Sequence, residues 1–467
     1  MSRACSGRST WWRSAALATL IVVATAGCEW PMLGFGPART NYNPFESRVN
    51  VVNVGSLQET WSTPFGGPLS GAAFVAPVVA GGVVYAGLQI PDDAEPFAVQ
   101  AFDAKGLAGC SGSPTICTPE WTATTFGGPL SLAVVGGVVY AGTGGNRLFA
   151  FDAAGVQGCA GSPKKCSPLW TASGVDGASV VVAGGFAYAQ AALGDGTMYA
   201  FDAAGVKNCS GTPKTCTPLW RANAGLPSVA NGFVYASAFR NGAFEVRVFD
   251  ANGVHGCSGT PKTCTPLWTG REAGGDIIVS VTPPTIAQGL VFLGISEGDE
   301  MFTGGRLVGF DAGGVRGCSG TPKTCVAIWR APTDGVFSNP AVAGDRLYVT
   351  DRFFTSDGIT SERRDTLRAF DVDACATSRP SCRPLWTAPL QDAALAPAVA
   401  NGVVYARTSD RFAAFDGAGN VNCSGAPKSC APLAAWNVTT GASTPVIANG
   451  VVYIDSGFSI LRAYELP

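Results

Sequence analysis

The sequence "PAVANGVVYAR", at Pro397–Arg407, is followed by "FAAFDG" at Phe412–Gly417, and together they indicate the architecture of the whole chain. Two short apolar runs flank its Asn-Gly pair, an arrangement typical of a tight two-residue hairpin. Related copies are "PVVAGGVVYAG" at Pro77–Gly87 and "VVVAGGFAYAQ" at Val180–Gln190. Each copy is followed by a run that ends in Phe-Asp and then by a tryptophan. We therefore expect a repeated unit of four short strands, about 50 residues long.

Counting the repeats predicts an all-β, eight-bladed propeller. One four-stranded sheet cannot bury both of its faces, so its regular repetition indicates a ring of blades. The Phe-Asp marker occurs seven times and ends in a degenerate eighth copy, Tyr464-Glu465. The chain opens with a fourth strand, "LQETW" at Leu57–Trp61, and stops after a third, "LRAYELP". The N-terminal strand should therefore complete the last blade and leave no free sheet edge. The fourth-strand tryptophans are Trp61, Trp121, Trp170, Trp220, Trp268, Trp329, Trp386 and Trp436.

Fourteen of the 16 cysteines form local pairs with six residues between the partners. In an exported chain such spacing predicts disulfides. A metal site would need four ligands to converge, usually from two closer pairs, and pairs spread along the whole chain do not converge. Each pair brackets the connection between a third and a fourth strand, which the eighth blade lacks because the chain is cut there. The pairs are Cys110/Cys117, Cys159/Cys166, Cys209/Cys216, Cys257/Cys264, Cys318/Cys325, Cys375/Cys382 and Cys423/Cys430.

The N-terminus has the features of an export leader. Three arginines precede a short apolar run at Ala15–Ala24, which is too short to span a bilayer. "TAGC", ending at Cys28, resembles the lipobox of bacterial lipoproteins, in which that cysteine receives the lipid. A plain secretory signal is the alternative. We expect a signal peptide at 1–27, a lipid-anchored linker at 28–48 and the propeller at 49–467.

Composition excludes one class of partner. The formal net charge is −2, and loss of the three leader arginines would make it −5. No basic stripe is present, so we expect neither nucleic acid nor an anionic membrane bound by charge alone.

The repeats resemble the pyrroloquinoline-quinone-like (PQQ-like) β-propeller family. "WPMLGFGPARTNYNPFE", at Trp30–Glu46, is also similar to the lead-in found before such propellers. The family includes quinoprotein dehydrogenases, the propeller lipoprotein of the outer-membrane β-barrel assembly machine, and sensor-like domains on bacterial surfaces. The resemblance implies the fold and a tryptophan packed between neighbouring blades, and it implies little about activity. The cysteine loop is a departure from the commoner repeat.

Features that break the repeat are the candidates for function. Most tryptophan-to-tryptophan intervals are 48 to 50 residues, but blades one, five and six span 60, 61 and 57. The extra residues fall between the second and third strands, at Leu88–Val99, Ile295–Arg306 and Asp351–Thr366, on the face opposite the cysteine loops. Long solvated loops without function are the alternative. The binding candidates are Asp299, Glu300, Phe302, Arg352, Phe353, Phe354, Arg363 and Arg364.

Signatures of catalysis are scarce. His255 is the only histidine, and other repeats have Gln157, Lys207 or Arg316 at its position in the cysteine loop, so we expect it to be an exposed variable residue. Without another histidine, we expect neither a Ser-His-Asp triad nor a histidine-based zinc site. The aspartate after each phenylalanine is a turn-capping residue by type. A quinoprotein dehydrogenase would need adjacent cysteines and calcium-binding carboxylates; no such motif supports PQQ or calcium, although Ser296–Glu300, "SEGDE", is acidic.

We therefore expect no cofactor, and a non-catalytic, membrane-anchored extracytoplasmic propeller, at the cell surface or in the periplasm. It would bind a protein, peptide or other ligand in the cell envelope. The alternatives are an envelope-assembly factor and a quinone-dependent oxidoreductase.

Overall fold

A computed structural model describes residues 29–64, 75–89, 97–191, 196–240, 242–273, 278–297, 304–336, 338–356, 361–377, 382–390, 395–408, 410–438, 443–456 and 460–467. These residues form eight β-sheets, one for each expected repeat, so the eight-bladed propeller is confirmed.

The first two strands of each blade form the hairpin that the Gly-Gly and Asn-Gly pairs predict. The first strands lie next to one another around the central axis. In blade order they are Val78–Ala80, Pro129–Val135, Val175–Ala183, Pro227–Ala230, Thr285–Ala287, Ala341–Ala343, Ala398–Ala400 and Val446–Ala448, and Ile278–Val281 is an additional strand in blade five. The second strands are Val83–Gln89, Val138–Thr143, Phe186–Ala191, Phe233–Arg240, Leu290–Glu297, Arg346–Ser356, Val403–Arg407 and Val451–Ser456.

The outer half of each blade contains the Phe-Asp marker and the tryptophan. The third strands are Phe97–Asp103, Arg147–Asp152, Thr197–Asp202, Ala243–Asp250, Gly304–Asp311, Ser361–Asp371, Arg411–Asp416 and Ile460–Glu465. The fourth strands are Trp121–Thr124, Trp170–Ser173, Trp220–Asn223, Trp268–Ala273, Trp329–Thr333, Trp386–Leu390, Ala434–Asn437 and, for blade eight, Gln58–Ser62.

The N-terminal strand closes the ring, as predicted. Gln58–Ser62 pairs antiparallel with Ile460–Glu465, with Trp61 opposite Ala463. The final blade therefore has its fourth strand, and closure depends on hydrogen bonds between the two ends of the chain.

All seven expected disulfides are present. Six of the loops fold as small hairpins that reach sideways to the preceding blade. Lys165 in blade two, for example, pairs in parallel with Thr122 in the fourth strand of blade one. Each hairpin thus extends a neighbouring sheet by two strands, covers its outer edge and ties two blades together. The hairpin strands are Cys110–Ser111 and Ile116–Cys117, Cys159–Ala160 and Lys165–Cys166, Cys209–Ser210 and Thr215–Cys216, Cys257–Ser258 and Lys262–Cys264, Cys318–Ser319 and Thr324–Cys325, and Cys423–Ser424 and Ser429–Cys430.

Blade six departs from this pattern. Its first cysteine, Cys375, lies in a short helix, Val372–Thr377, and its disulfide to Cys382 is kept. The sheet of blade five consequently ends at its own fourth strand. No helix among the described residues is long and apolar enough to cross a membrane.

The fourth-strand tryptophans pack between blades, as the family resemblance implies. Trp121 is 2% exposed, and its Nε1 donates to the carbonyl of Ala153 in the next blade at 3.2 Å. Tyr85 Oη donates to the same carbonyl at 3.1 Å. Burial of one such ring stabilises the fold by roughly 2–3 kcal/mol. Trp436 is the exception, half-buried and stacked on Phe412 with the ring centroids 4.5 Å apart.

The segment from Glu29 to Arg48, expected as a linker, lies along the inner strands instead. Carbonyls of this lead-in accept first-strand N–H groups from six blades at 2.7–2.9 Å, beginning with Val79 N–H to Trp30 and ending with Val399 N–H to Asn41. Arg39 reaches Ser179 of blade three, and Asn43 Nδ2 donates to Ile447 of blade eight at 2.8 Å. These contacts satisfy inner-edge donors that would otherwise lack backbone partners. The remaining elements near this end are Tyr42–Asn43, which pairs in parallel with the first strand of blade seven, and the 3-10 helix Val54–Ser56.

Candidate binding face

The two faces of the ring carry different strand connections. The first-to-second-strand turns and the third-to-fourth-strand connections share one face, because Ala104 N–H donates to Gly82 and Ala153 N–H to Gly137, at 3.0 and 2.9 Å. We call this the hairpin face. The second-to-third-strand connections lie on the opposite face, the loop face. The strand ends that bracket the insertions of blades one, five and six are therefore on the loop face, and residues 90–96, 298–303 and 357–360 lie outside the described residues.

The described part of the insertion of blade six is a paired hairpin, which we call the arm, and not a loop. Arg346–Ser356 and Ser361–Asp371 are each 11 residues long and pair continuously out to Ser356 opposite Ser361. Our expectation of a loop over Asp351–Thr366 was wrong for most of its length, because its aromatic and β-branched residues favour strand. The second strands of the other blades have five to eight residues. The arm therefore rises roughly 10–20 Å further at ~3.3 Å per residue.

The neighbouring blades also have extended hairpins. In blade five the paired strands reach Glu297 opposite Gly304. The candidates Asp299, Glu300 and Phe302 fall between those two residues and lie outside the described residues. Blade four pairs Phe233–Arg240 with Ala243–Asp250 as far as Arg240 opposite Ala243. The tryptophan-to-tryptophan interval of blade four is not longer than the others and does not predict this long hairpin. The Asn-Gly pair after Arg240 is a hairpin signal that does.

The base of the arm is built around two buried carboxylates. Asp365, 1% exposed, accepts a hydrogen bond from Arg363 Nη2 at 2.9 Å and lies 3.5 Å from Arg352 Nε. Asp351, fully buried, lies 2.6 Å from Arg368 Nε. Burial raises the pKa of Asp351 to about 7, against the opposing effect of Arg368. Two of the predicted binding arginines thus hold the arm in place.

The other three candidates of blade six, Phe353, Phe354 and Arg364, occupy the outer part of the arm. Phe353 is half-buried and lies directly opposite Arg364, which is exposed. Phe354 is opposite Arg363 in the pairing, and its side chain lies outside the described residues. The described candidates of blade six therefore come together on one paired element.

Ion pairs join blades four and five on the same face. Glu272 of blade four lies 2.8 Å from Arg330 and 3.6 Å from Arg306, both in blade five. Arg306 also pairs with Glu297 of its own blade. Such partly exposed pairs contribute about 0–1 kcal/mol each. They position the hairpins relative to one another.

A buried arginine in the lead-in was missed by sequence reasoning. Arg39 is 1% exposed, and its Nε donates to Pro227 O at 3.1 Å and its Nη2 to Ser179 Oγ at 2.6 Å. Burial lowers the pKa of Arg39 to about 10. Both acceptors are neutral, and they belong to blades three and four, so Arg39 fixes the lead-in to the ring.

The aspartates after each phenylalanine are turn caps, as predicted. Asp103 Oδ2 accepts the N–H groups of Leu107 and Ala108 at 2.9 and 2.8 Å. Burial alone would raise the pKa of Asp103, but the backbone donors lower it overall. Equivalent bonds are made by Asp152, Asp202, Asp250, Asp311 and Asp416.

The described residues do not fit a quinone site with its metal. Every described cysteine is in a disulfide between partners seven positions apart, so no vicinal pair exists among them. Within the same part of the chain, no cluster of three histidine, cysteine or carboxylate side chains could hold a metal. The lead-in, moreover, is hydrogen-bonded to the axial edges of the blades.

The hairpin face carries an apolar cleft of about 800 Å³ between the lead-in and blades one and two. Phe35 and Phe45 line one side of it, and Tyr85 and Val135 line the other. Glu29, the first described residue, stands at its margin.

No protein-family model matches the sequence, and no curated protein matches it either. Solved structures do match the fold. BamB from Moraxella catarrhalis is 13% identical, with a TM-score of 0.54 over 88% of this chain and 99% of that chain. The computationally designed Ika8 protein is 12% identical, with a TM-score of 0.55 over 87% and 99%. A quinohemoprotein alcohol dehydrogenase from Pseudomonas putida HK5 is 13% identical, with a TM-score of 0.52 over 97% and 82%.

Identities this low establish the fold alone. The chain is an eight-bladed β-propeller, as its repeats predict, and it shares the propeller fold with both natural proteins. Neither likeness assigns an activity.

Proposed function

We propose that this protein is a non-catalytic propeller, exported and held at a membrane by a lipid on Cys28, that binds a protein or peptide on the loop face of blades five and six. Seven disulfides support export, since such bonds persist in oxidising compartments. Cys28 lies outside the described residues, and the intact mass of membrane-extracted protein tests its lipidation.

The arm of blade six carries the proposal. It is the longest hairpin in the described part of the ring, and buried ion pairs fix its base. A rigid projection that presents an aromatic ring and an exposed guanidinium costs little conformational entropy on binding. Tryptophan, tyrosine and arginine are enriched where binding energy concentrates, and aromatic residues in general are enriched at interfaces. Phe353 and Arg364 are therefore the contacts we assign to the partner.

The test removes the arm beyond Arg352 and Asp365; Arg363 is lost with it, and Arg352 remains beside Asp365. Because Arg352 is directly opposite Asp365, deleting 353–364 and inserting Asn-Gly closes the hairpin with a two-residue turn. The matched control shortens blade four in the same way, replacing 239–244 by Asn-Gly between the opposed residues Ala238 and Glu245. Affinity capture from envelope extract, with quantitative mass spectrometry, should lose the partner only with the armless protein. Identical partners for both variants would contradict the proposal.

An envelope-assembly factor is the second candidate. The likeness to BamB, over 99% of that chain, favours it. Loss of the gene would then lower the amount of folded β-barrel protein in an outer membrane, which heat-modifiability on gels measures. Dye reduction after addition of PQQ and Ca²⁺ would instead overturn the non-catalytic assignment.

A further inference from the structure

Exposed apolar side chains form a ring on the hairpin face. Each stands three residues before the first cysteine of its blade. Isolated exposed apolar residues are ordinary. Here the same position repeats in five consecutive blades, so the side chains lie at one level around the propeller. They are Leu107, Val156, Val206, Val254 and Val315, which are 73, 71, 71, 60 and 74% exposed.

The fold fixes the direction of these side chains but does not require them to be apolar. Val156 N–H donates to the capping Asp152 at 2.7 Å, which holds the backbone of the turn and leaves the side chain in solvent. The next position in the same turns is polar in blades two to five, where it is Gln157, Lys207, His255 and Arg316. The core gains nothing from the valines, so their repetition indicates contact with something outside the protein.

The N-terminal segment adds exposed apolar residues over blades that lack the repeated position. Phe45 and Val52 are 46 and 95% exposed. The chain between them crosses the hairpin face over blades seven and eight, because Asn401 Nδ2 donates to Val49 O at 2.9 Å and Gly450 N–H donates to Glu46 at 2.8 Å. Blade seven adds Val421, 45% exposed. Ten of the twelve large exposed apolar residues in the described chain therefore lie on this face or in third-to-fourth-strand connections, which also contain Val326 and Leu385. The other two, Phe126 and Phe239, do not.

The lysines are concentrated on the same side of the ring as the exposed apolar residues. All eight lysines of the chain fall in third-to-fourth-strand connections, on or beside the cysteine hairpins. A lysine can lay its aliphatic stem on an apolar surface while its ammonium contacts lipid phosphates. They are Lys105, Lys164, Lys165, Lys207, Lys214, Lys262, Lys323 and Lys428.

The chain also enters the ring on this face. Trp30 and Val79 exchange both backbone hydrogen bonds, at 3.1 and 2.8 Å, and Glu29 accepts the N–H of Gly81 at 2.7 Å. Residue 28 is therefore one position from a fixed point on the hairpin face. The chain before Glu29 therefore begins at the hairpin face, and Cys28 itself lies outside the described residues. The apolar cleft opens beside Glu29.

We propose that the hairpin face rests on a phospholipid bilayer. The apolar ring meets the boundary between headgroups and acyl chains, the lysines contact headgroup phosphates, and the loop face points away toward the partner. The proposal rests on the proposed function for the lipid on Cys28 and for the partner on the loop face; the contact of the hairpin face with the bilayer is argued independently of both. The ring and the lysines supply a second membrane signal, which matters because single lipid attachments bind membranes reversibly.

Lysine footprinting tests the orientation on the full lipidated protein. We would reconstitute it into vesicles of phosphatidylethanolamine and phosphatidylglycerol, acetylate it briefly and measure each lysine by mass spectrometry. Rates should be on the order of tenfold lower in vesicles than after detergent dissolves them, since the bilayer covers the face. Arginine modification at Arg364, on the loop face, should be unchanged. Equal lysine rates in both conditions would overturn the proposal.

A ring variant and a matched control separate the face from the anchor. The ring variant changes Leu107, Val156, Val206, Val254 and Val315 to serine and keeps Cys28. Its lysines should react as fast in vesicles as in detergent. The control changes Phe126 and Phe239 to serine; these are 54 and 52% exposed and lie on the loop face, so protection should remain. A ring variant that stays protected would refute the proposal.

The outcome is distinguishable from failure of the proposed function. If intact mass shows no lipid, the anchor is wrong, and vesicle flotation of the parent and the ring variant then tests the face directly. Only the parent should float. If instead the ring variant loses protection but captures the same partner, the membrane face and the partner face are separate, as proposed.

Discussion

Substituting Gly155 by alanine should measure how tightly neighbouring blades are packed. Gly155 has a φ of +62°, and an added Cβ would lie 2.3 Å from Cδ1 of Trp121 in the preceding blade. The indole has little freedom to move, because it is buried and donates a hydrogen bond to Ala153. The left-handed backbone costs alanine about 1–2 kcal/mol, and the overpacked contact adds about 1–3 kcal/mol. We expect the free energy of unfolding to fall by roughly 2–5 kcal/mol.

Gly136 in the same blade provides the matched control. Its φ is +61°, and an added Cβ would meet no heavy atom within 4 Å. Gly136→Ala therefore incurs the backbone cost alone, and the difference between the two variants isolates the contact with the tryptophan. Denaturant unfolding followed by tryptophan fluorescence gives both midpoints, compared at unchanged slope. Equal midpoints for the two variants would refute the packing argument.

Three further predictions concern the staples, the turn caps and the closure. Replacing Cys159 and Cys166 by serine should lower the free energy of unfolding by up to ~2.5 kcal/mol; a denaturant midpoint equal to the parent's would deny the staple a role. Burial opposes ionisation of Asp250, but its backbone hydrogen-bond donors outweigh burial and lower its pKa. The ionised carboxylate therefore contributes fully to the free energy of unfolding above pH ~4, and this contribution is lost as the pH falls through the folded-state pKa. The stability gap to Asp250→Asn, followed by thermal melts at decreasing pH, should then close, and a constant gap would count against this. Trp61→Ala should cost ~3–5 kcal/mol and promote aggregation visible by light scattering, whereas a monomer with an unchanged melt would contradict the closure.

Sequence reasoning reached the fold because its determinants are local. The Asn-Gly and Gly-Gly pairs define each inner hairpin, and the eight tryptophans count the blades. The partial repeats at the two ends predict the closure that Trp61 and Ala463 make. Two cysteines only seven positions apart, such as Cys159 and Cys166, are held close together by the short loop between them, so they pair with each other. The same locality made the capping role of Asp103 predictable.

Contacts between segments far apart in the chain could not be predicted from local sequence and became evident only in the folded structure. The curvature of the ring carries each cysteine hairpin to the preceding blade, as Lys165 opposite Thr122 shows. The path of the lead-in along the first strands depends on donors contributed by blades hundreds of residues away, such as Val399. The long strand pairing in blade six was not predicted, because a charged segment resembles a loop in sequence when the strand that pairs with it is unknown. The apolar ring shares this origin, because valines about 50 residues apart become one surface only when the blades close around an axis.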